Sequence, residues 1–92
     1  MKIVINNRYG GFELSKEALA LFNERSGAVV TYDFNIKRND PILVEIVEQL
    51  GEAADGDYAK LKVVDIPDDV PWTIEEYDGA EWIAENIALG VN

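Results

Sequence analysis

Asp65, Asp68, Asp69, Glu75, Glu76, Asp78, Glu81 and Glu85 lie in a stretch of this chain that contains no lysine, arginine or histidine. Carboxylates gathered this way can serve several kinds of chemistry. A dense row of them can imitate nucleic-acid phosphates and occupy a basic groove on another protein. Duplex DNA carries one charge per ~1.7 Å of axis, and a hairpin with carboxylates on its outer face can approach that density. A pair of carboxyl groups can hydrolyse a glycosidic bond. Close acids such as Asp55 and Asp57, or Asp68 and Asp69, suit Ca²⁺ or Mg²⁺. The competing explanation is a solvated exterior that keeps a small domain soluble.

Composition narrows these choices. The chain has 92 residues and neither histidine nor cysteine. The usual general base near neutral pH, the thiolate nucleophile and the commonest metal ligand are therefore missing. A chain of this length has little material for a substrate cleft, so the expectation is a protein that is not an enzyme and uses no cofactor. The acidic pairs do not follow the EF-hand loop pattern, and turns favour Asp and Gly in any case, so no metal site is expected.

Charge is divided unevenly along the chain. Residues 1–38 carry six basic and four acidic side chains, whereas residues 39–92 set only Lys60 and Lys62 against fourteen carboxylates, for a net charge of −10 overall. Such an asymmetry favours basic protein surfaces as partners and disfavours direct binding to nucleic acid or anionic membranes. On this reading Asp68, Asp69, Glu75, Glu76, Asp78 and Glu81 dock on a basic surface, and Tyr77 adds contact area. No apolar run approaches the ~20 residues needed to span a bilayer. The N-terminal residues lack the pattern of a secretory signal, so a cytoplasmic location is expected.

A second candidate is the loop containing Arg8, Tyr9, Gly10 and Gly11. A glycine turn before a helix can aim backbone N–H groups at an anion, with Arg8 supplying charge and Tyr9 or Phe12 a stacking surface. That is the small-ligand or nucleotide-binding alternative. The pattern is neither the dinucleotide G-x-G-x-x-G nor a Walker loop. Its structural counterpart is a tight turn whose glycines let Tyr9 and Phe12 fold back onto the core.

These residues must be positioned by a small set of elements. Lys2 to Asn6 is a β-branched run that predicts a buried strand. Ser15 reads as a helix N-cap, with Leu14 and Leu19 forming a hydrophobic staple and Gly27 at the helix end. Ala28 to Phe34 is rich in β-formers and predicts a second strand; left as an unpaired edge, it would favour a homodimer and a self-assembling structural role. Asp40 and Pro41 open a second helix that ends at Gly51. Leu61 to Ile66 and Trp72 to Tyr77 read as strands, and Asp78-Gly79 as a two-residue hairpin turn. Ala80 to Glu85 should return as the paired strand, with a short helix over 80–88 as the rival; residues 86–92 should fray. Trp72 and Trp82 are expected in the core.

Three stretches also carry a resemblance: KIVINNRYGGFELS (residues 2–15), RNDPILVEIVEQLG (38–51) and KLKVVDIPDDVPWTIEEYDGAEWIAE (60–85). Together they resemble a family of small bacteriophage- and prophage-encoded proteins without an assigned activity, departing mainly in residues 28–37. The resemblance implies the cytoplasm of an infected bacterium and an accessory or host-interacting role. It carries over no functional residue. The expected architecture is a single α+β domain over residues 1–92. It has two layers, a mixed or antiparallel sheet with two helices packed on one face, and a C-terminal hairpin.

Overall fold

Two helices are set by their own ends. Ser15 caps α1 (Lys16–Ser26) by accepting the Ala18 N–H at 3.1 Å, and Gly27 closes it by donating back to Asn23 O at 3.0 Å. Asp40 caps α2 (Pro41–Leu50), its Oδ1 accepting from the N–H groups of Ile42 and Leu43 at 2.8 and 3.4 Å. Each cap satisfies donors that the first helical turn leaves without partners. The computed structural model describes residues 1–85 of the chain. Short 3₁₀ turns at Asp33–Asn35 and Gly51–Ala54 complete the helical content among the described residues.

The strands are β1 (Lys2–Asn6), β2 (Leu61–Asp65), β3 (Trp72–Tyr77) and β4 (Ala80–Glu85). They form two separate antiparallel pairs, β1 with β2 and β3 with β4, in place of the single expected sheet. Alternation along β1 explains how both pairs share it. Val4, opposite Val63, faces a core built with Leu14, Ala18 and Phe22 of the α1 region and Leu43, Ile46 and Val47 of α2. Ile3 and Ile5 point the other way, into a second cluster with Ile66, Trp72, Ile74 and Ile83. The β1–β2 pair is thus flanked by helices on one face and by the hairpin on the other. The α+β class, the two helices and the C-terminal hairpin match expectation. The two-layer single sheet does not.

The reason the sheets stay apart is found at the second edge of β1. Backbone bonds from Ile66 N–H to Met1 O and from Asn7 N–H to Lys60 O, at 2.9 and 2.8 Å, turn the odd-numbered residues toward β2. Val4 and Asn6 therefore present their N–H groups to the opposite edge, where a further strand would pair. The Val4 N–H goes to Arg38 O at 2.8 Å and the Asn6 N–H to the Glu81 carboxylate at 2.7 Å. A loop carbonyl and a side chain have taken the positions of a neighbouring ladder.

The segment Ala28 to Phe34 is not a strand. Asn23 of α1 holds both backbone groups of Val30, donating to its carbonyl and accepting its N–H, each at 2.9 Å. Asp33 turns its carboxylate to the Leu14 N–H at 2.9 Å. Val29 is 94% exposed, and the rings of Tyr32 and Phe34 stack on one another in solvent at 5.4 Å. β-propensity reflects a fit to a pleated, half-buried surface, and among the described residues no strand pairs with this segment.

The hairpin turn is as expected: Asp78 and Gly79 have φ of 51° and 91°, the pair of positive values that a type I′ turn requires. Ala80 to Glu85 is strand; residues 86–88 of the rival helix, and the expected fraying of 86–92, lie outside the described residues. Trp72 packs on the second cluster, but Trp82 lies on the opposite, outward face and is 47% exposed. Only one of the two tryptophans belongs to the core.

Candidate functional site

The candidate acidic residues divide among three environments. Glu81 is internal. Its two oxygens receive the two terminal nitrogens of Arg38 at 2.6 and 2.9 Å, a bidentate pair whose carboxylate is only 9% exposed. The same guanidinium donates to Val4 O at 3.3 Å and lies 3.6 Å from the centroid of the Phe12 ring. Glu81 thus clasps the hairpin to β1 and cannot also offer its charge to a partner. This corrects its place in the docking set. The cause is a planar fork-to-fork match that a lone exposed carboxylate lacks.

Asp68 is partly committed. It is exposed, but its carboxylate receives the Met1 α-ammonium, which also donates to Ile66 O at 2.7 Å and reaches Asp65 at 3.4 Å. That hydrogen bond holds the Asp68 carboxyl below the usual carboxylate range and raises the Met1 amine above its ordinary value. Both groups stand in solvent, so the pairing fixes local geometry more than stability.

Asp69, Glu75, Glu76 and Asp78 are exposed and have no cation within ion-pair distance among the described residues. Glu76 accepts the Gly79 N–H at 2.9 Å and so braces its own turn. Pairing register places Glu75 opposite Trp82 and Tyr77 opposite Ala80. Glu75, Tyr77 and Trp82 therefore share the outward face, and Tyr77 is 65% exposed. The six residues of β3 span about 17 Å, over which duplex DNA would carry about ten charges. The hairpin bears far fewer uncompensated ones, so its geometry does not reproduce a phosphate row.

Arg8, Tyr9, Gly10 and Gly11 do not converge on one space. Gly10 and Gly11 border a cleft of about 460 Å³ beside Tyr32 and Tyr58, while Arg8 borders a different, shallow depression with Glu52 and Lys60. Tyr9 stands in solvent, and Phe12 packs partly into the main core. The Gly10 N–H, the donor an anion would need, is bonded to Asp78 O at 2.9 Å. The loop lies directly against the hairpin turn, where a Cβ on Gly79 would fall on the backbone of Gly10 and Gly11, and a Cβ on Gly10 would meet Tyr58. Among the described residues no three carboxylates gather as metal ligands, and Asp55 spends one oxygen on the Leu61 N–H at 2.9 Å.

Two residues that organise this region were not singled out from the sequence. One is Arg38, whose partner Glu81 lies 43 positions later in the chain. The other is Asn6, which is fully buried. Its Nδ2 donates to Arg8 O and Gly79 O at 2.7 and 2.8 Å, and its Oδ1 accepts the Lys60 N–H at 2.8 Å. One amide thus joins the glycine loop, the hairpin turn and the start of β2. Asn6→Ala is expected to cost about 2–3 kcal/mol in urea unfolding, since three backbone groups lose their partner. Asn6→Asp, nearly isosteric, should cost at least as much, because a carboxylate oxygen would face two carbonyls. An aspartate variant as stable as the parent would refute this role.

Comparison with family models, with curated proteins and with solved structures finds no match to this chain. Among the described residues no helix is long and apolar enough to cross a membrane.

Proposed function

We propose that this chain is a small phage- or prophage-encoded accessory protein that acts by binding, its acidic second half docking on a basic surface of a host protein. The observation that carries this reading is the set Asp69, Glu75, Glu76 and Asp78, exposed and without ion-pair partners among the described residues, on a stretch devoid of lysine and arginine. Charges left uncompensated on one element speed encounter with a cationic surface and select against acidic ones. The resemblance of the three stretches named above supports the setting. Tyr77 and Trp82 supply contact area beside the carboxylates.

The test is affinity capture from a bacterial lysate at low salt. It compares the parent with a triple variant, Asp69→Asn, Glu75→Gln and Glu76→Gln; Asp68 is left intact because it anchors Met1. A target held by the parent should be released between about 50 and 300 mM salt and be lost from the variant. Matching captures from both proteins, or retention that ignores salt, would overturn the reading and leave the carboxylates as solvation.

A further inference from the structure

We infer that the free edge of β3 accepts an extended, arginine- or lysine-bearing segment of the partner as an added strand. This inference rests on the docking reading above and specifies its site and its occupant. The two-residue turn makes Tyr77 and Ala80 a hydrogen-bonded pair, and ladder alternation then directs the N–H and C=O groups of Thr73, Glu75 and Tyr77 toward β4. Those of Trp72, Ile74 and Glu76 turn outward, and none of them has a backbone partner among the described residues. β4 is the hairpin strand in closer contact with β1, while β3 reaches β1 through the Trp72 and Ile74 side chains on its face and not through this edge. The β3 edge is therefore an unfilled ladder of the kind that recruits another strand.

The choice of occupant follows from charge. A second copy pairing edge to edge would bring Glu75 and Glu76 of both strands onto one short ladder with no cation among them, which disfavours association. A cationic strand meets the opposite situation. On the outward face its side chains would lie beside Glu75 and Tyr77, with Trp82 behind them on β4, so an arginine gains both an ion pair and an aromatic surface. The edge carries no lysine or proline to blunt it. Its carboxylates disfavour self-pairing and make a cationic guest the favoured one.

The probe is a capped synthetic heptapeptide alternating arginine and valine, titrated into the full-length protein and followed by amide NMR. Binding should move the amide signals of Trp72, Ile74 and Glu76 and the Trp82 indole signal. Two further peptides carry backbone N-methyl groups, one on every valine and the other on every arginine. In an added strand only alternate N–H groups face β3. An antiparallel guest uses those of the residues on the inward face, so the valine-methylated peptide should weaken at least tenfold while the arginine-methylated one is retained. A parallel guest gives the reverse pattern.

Equal affinity of the two methylated peptides would overturn strand addition while leaving the carboxylate docking reading in place. So would shifts scattered over all the acidic residues. A protein whose hydrodynamic mass is already doubled, with the β3 amides protected from exchange, would show that a second copy fills the edge and would overturn the inference. Failure of the arginine peptide to bind, while salt-sensitive capture by the carboxylates persists, sinks only the inference. Failure of both sinks both.

Discussion

Replacing Arg38 by methionine is expected to lower the unfolding free energy by about 3–5 kcal/mol, a large part of the roughly 5–15 kcal/mol a domain commands. The loss comes less from the missing attraction than from what remains. The Glu81 carboxyl would be left at 9% exposure with one backbone N–H, that of Asn6, as its remaining donor among the described residues. The edge of β1 would also lose the guanidinium bond to Val4 O. Both tryptophans lie on the hairpin, so fluorescence should report its release directly, and β3–β4 amides should lose exchange protection before those of β1. Arg25→Met is the control: it breaks the Arg25–Glu45 pair, at 2.9 Å but with the Glu45 carboxylate in solvent, and should cost no more than about 1 kcal/mol. The double change Arg38→Met with Glu81→Leu should recover part of the loss, because the buried charge is gone while the Asn6 N–H still lacks its acceptor. Equal effects of the Arg38 and Arg25 substitutions would refute the clasp.

What could be read from the sequence was what neighbours in the chain decide. Ser15 and Asp40 cap helices through atoms two or three residues away, and Asp78-Gly79 forms a turn whose dihedrals those two residues favour by themselves. The apolar periodicity of α2 likewise reported a face that is buried. The failures share another cause. Ala28 to Phe34 has strand composition but, among the described residues, no strand pairs with it, and Asn23 occupies the backbone groups of Val30. Glu81 looked like one more member of an acidic row because the cation that neutralises it lies 43 positions earlier. Asn6 ended a β-branched run and read as a turn former; nothing local announced that three segments would meet on its amide. The acidic set itself was visible as composition. Its division depended on contacts beyond the stretch itself: Glu81 meets Arg38, Asp68 meets the Met1 ammonium, and Asp69, Glu75, Glu76 and Asp78 stay exposed. Those partners, Arg38 and Met1, lie far from the hairpin in the chain.

Gly79→Ala should be comparably damaging, at about 3–4 kcal/mol, although it adds one methyl group to a surface turn. A Cβ at this position would come within 2.7 Å of Gly11 Cα and 2.8 Å of Gly10 C, and nearer still to Gly11 N. All three are backbone atoms, which cannot rotate away. The turn would have to lift off the loop, breaking the Gly10 N–H bond to Asp78 O and the Asn6 bond to Gly79 O. The positive φ of 91° adds its own strain for any side chain. Gly11→Ala separates the two contributions. Its φ is also positive, at 106°, but its Cβ would meet nothing within 4 Å, so it should show the dihedral strain alone, about 1–2 kcal/mol. Urea denaturation of the two variants therefore distinguishes a loop kept glycine-rich for contact from one kept so for flexibility. A larger loss at Gly79 places the constraint in the contact between loop and hairpin. Equal losses would place it in the dihedrals and leave the glycine loop free to serve a ligand.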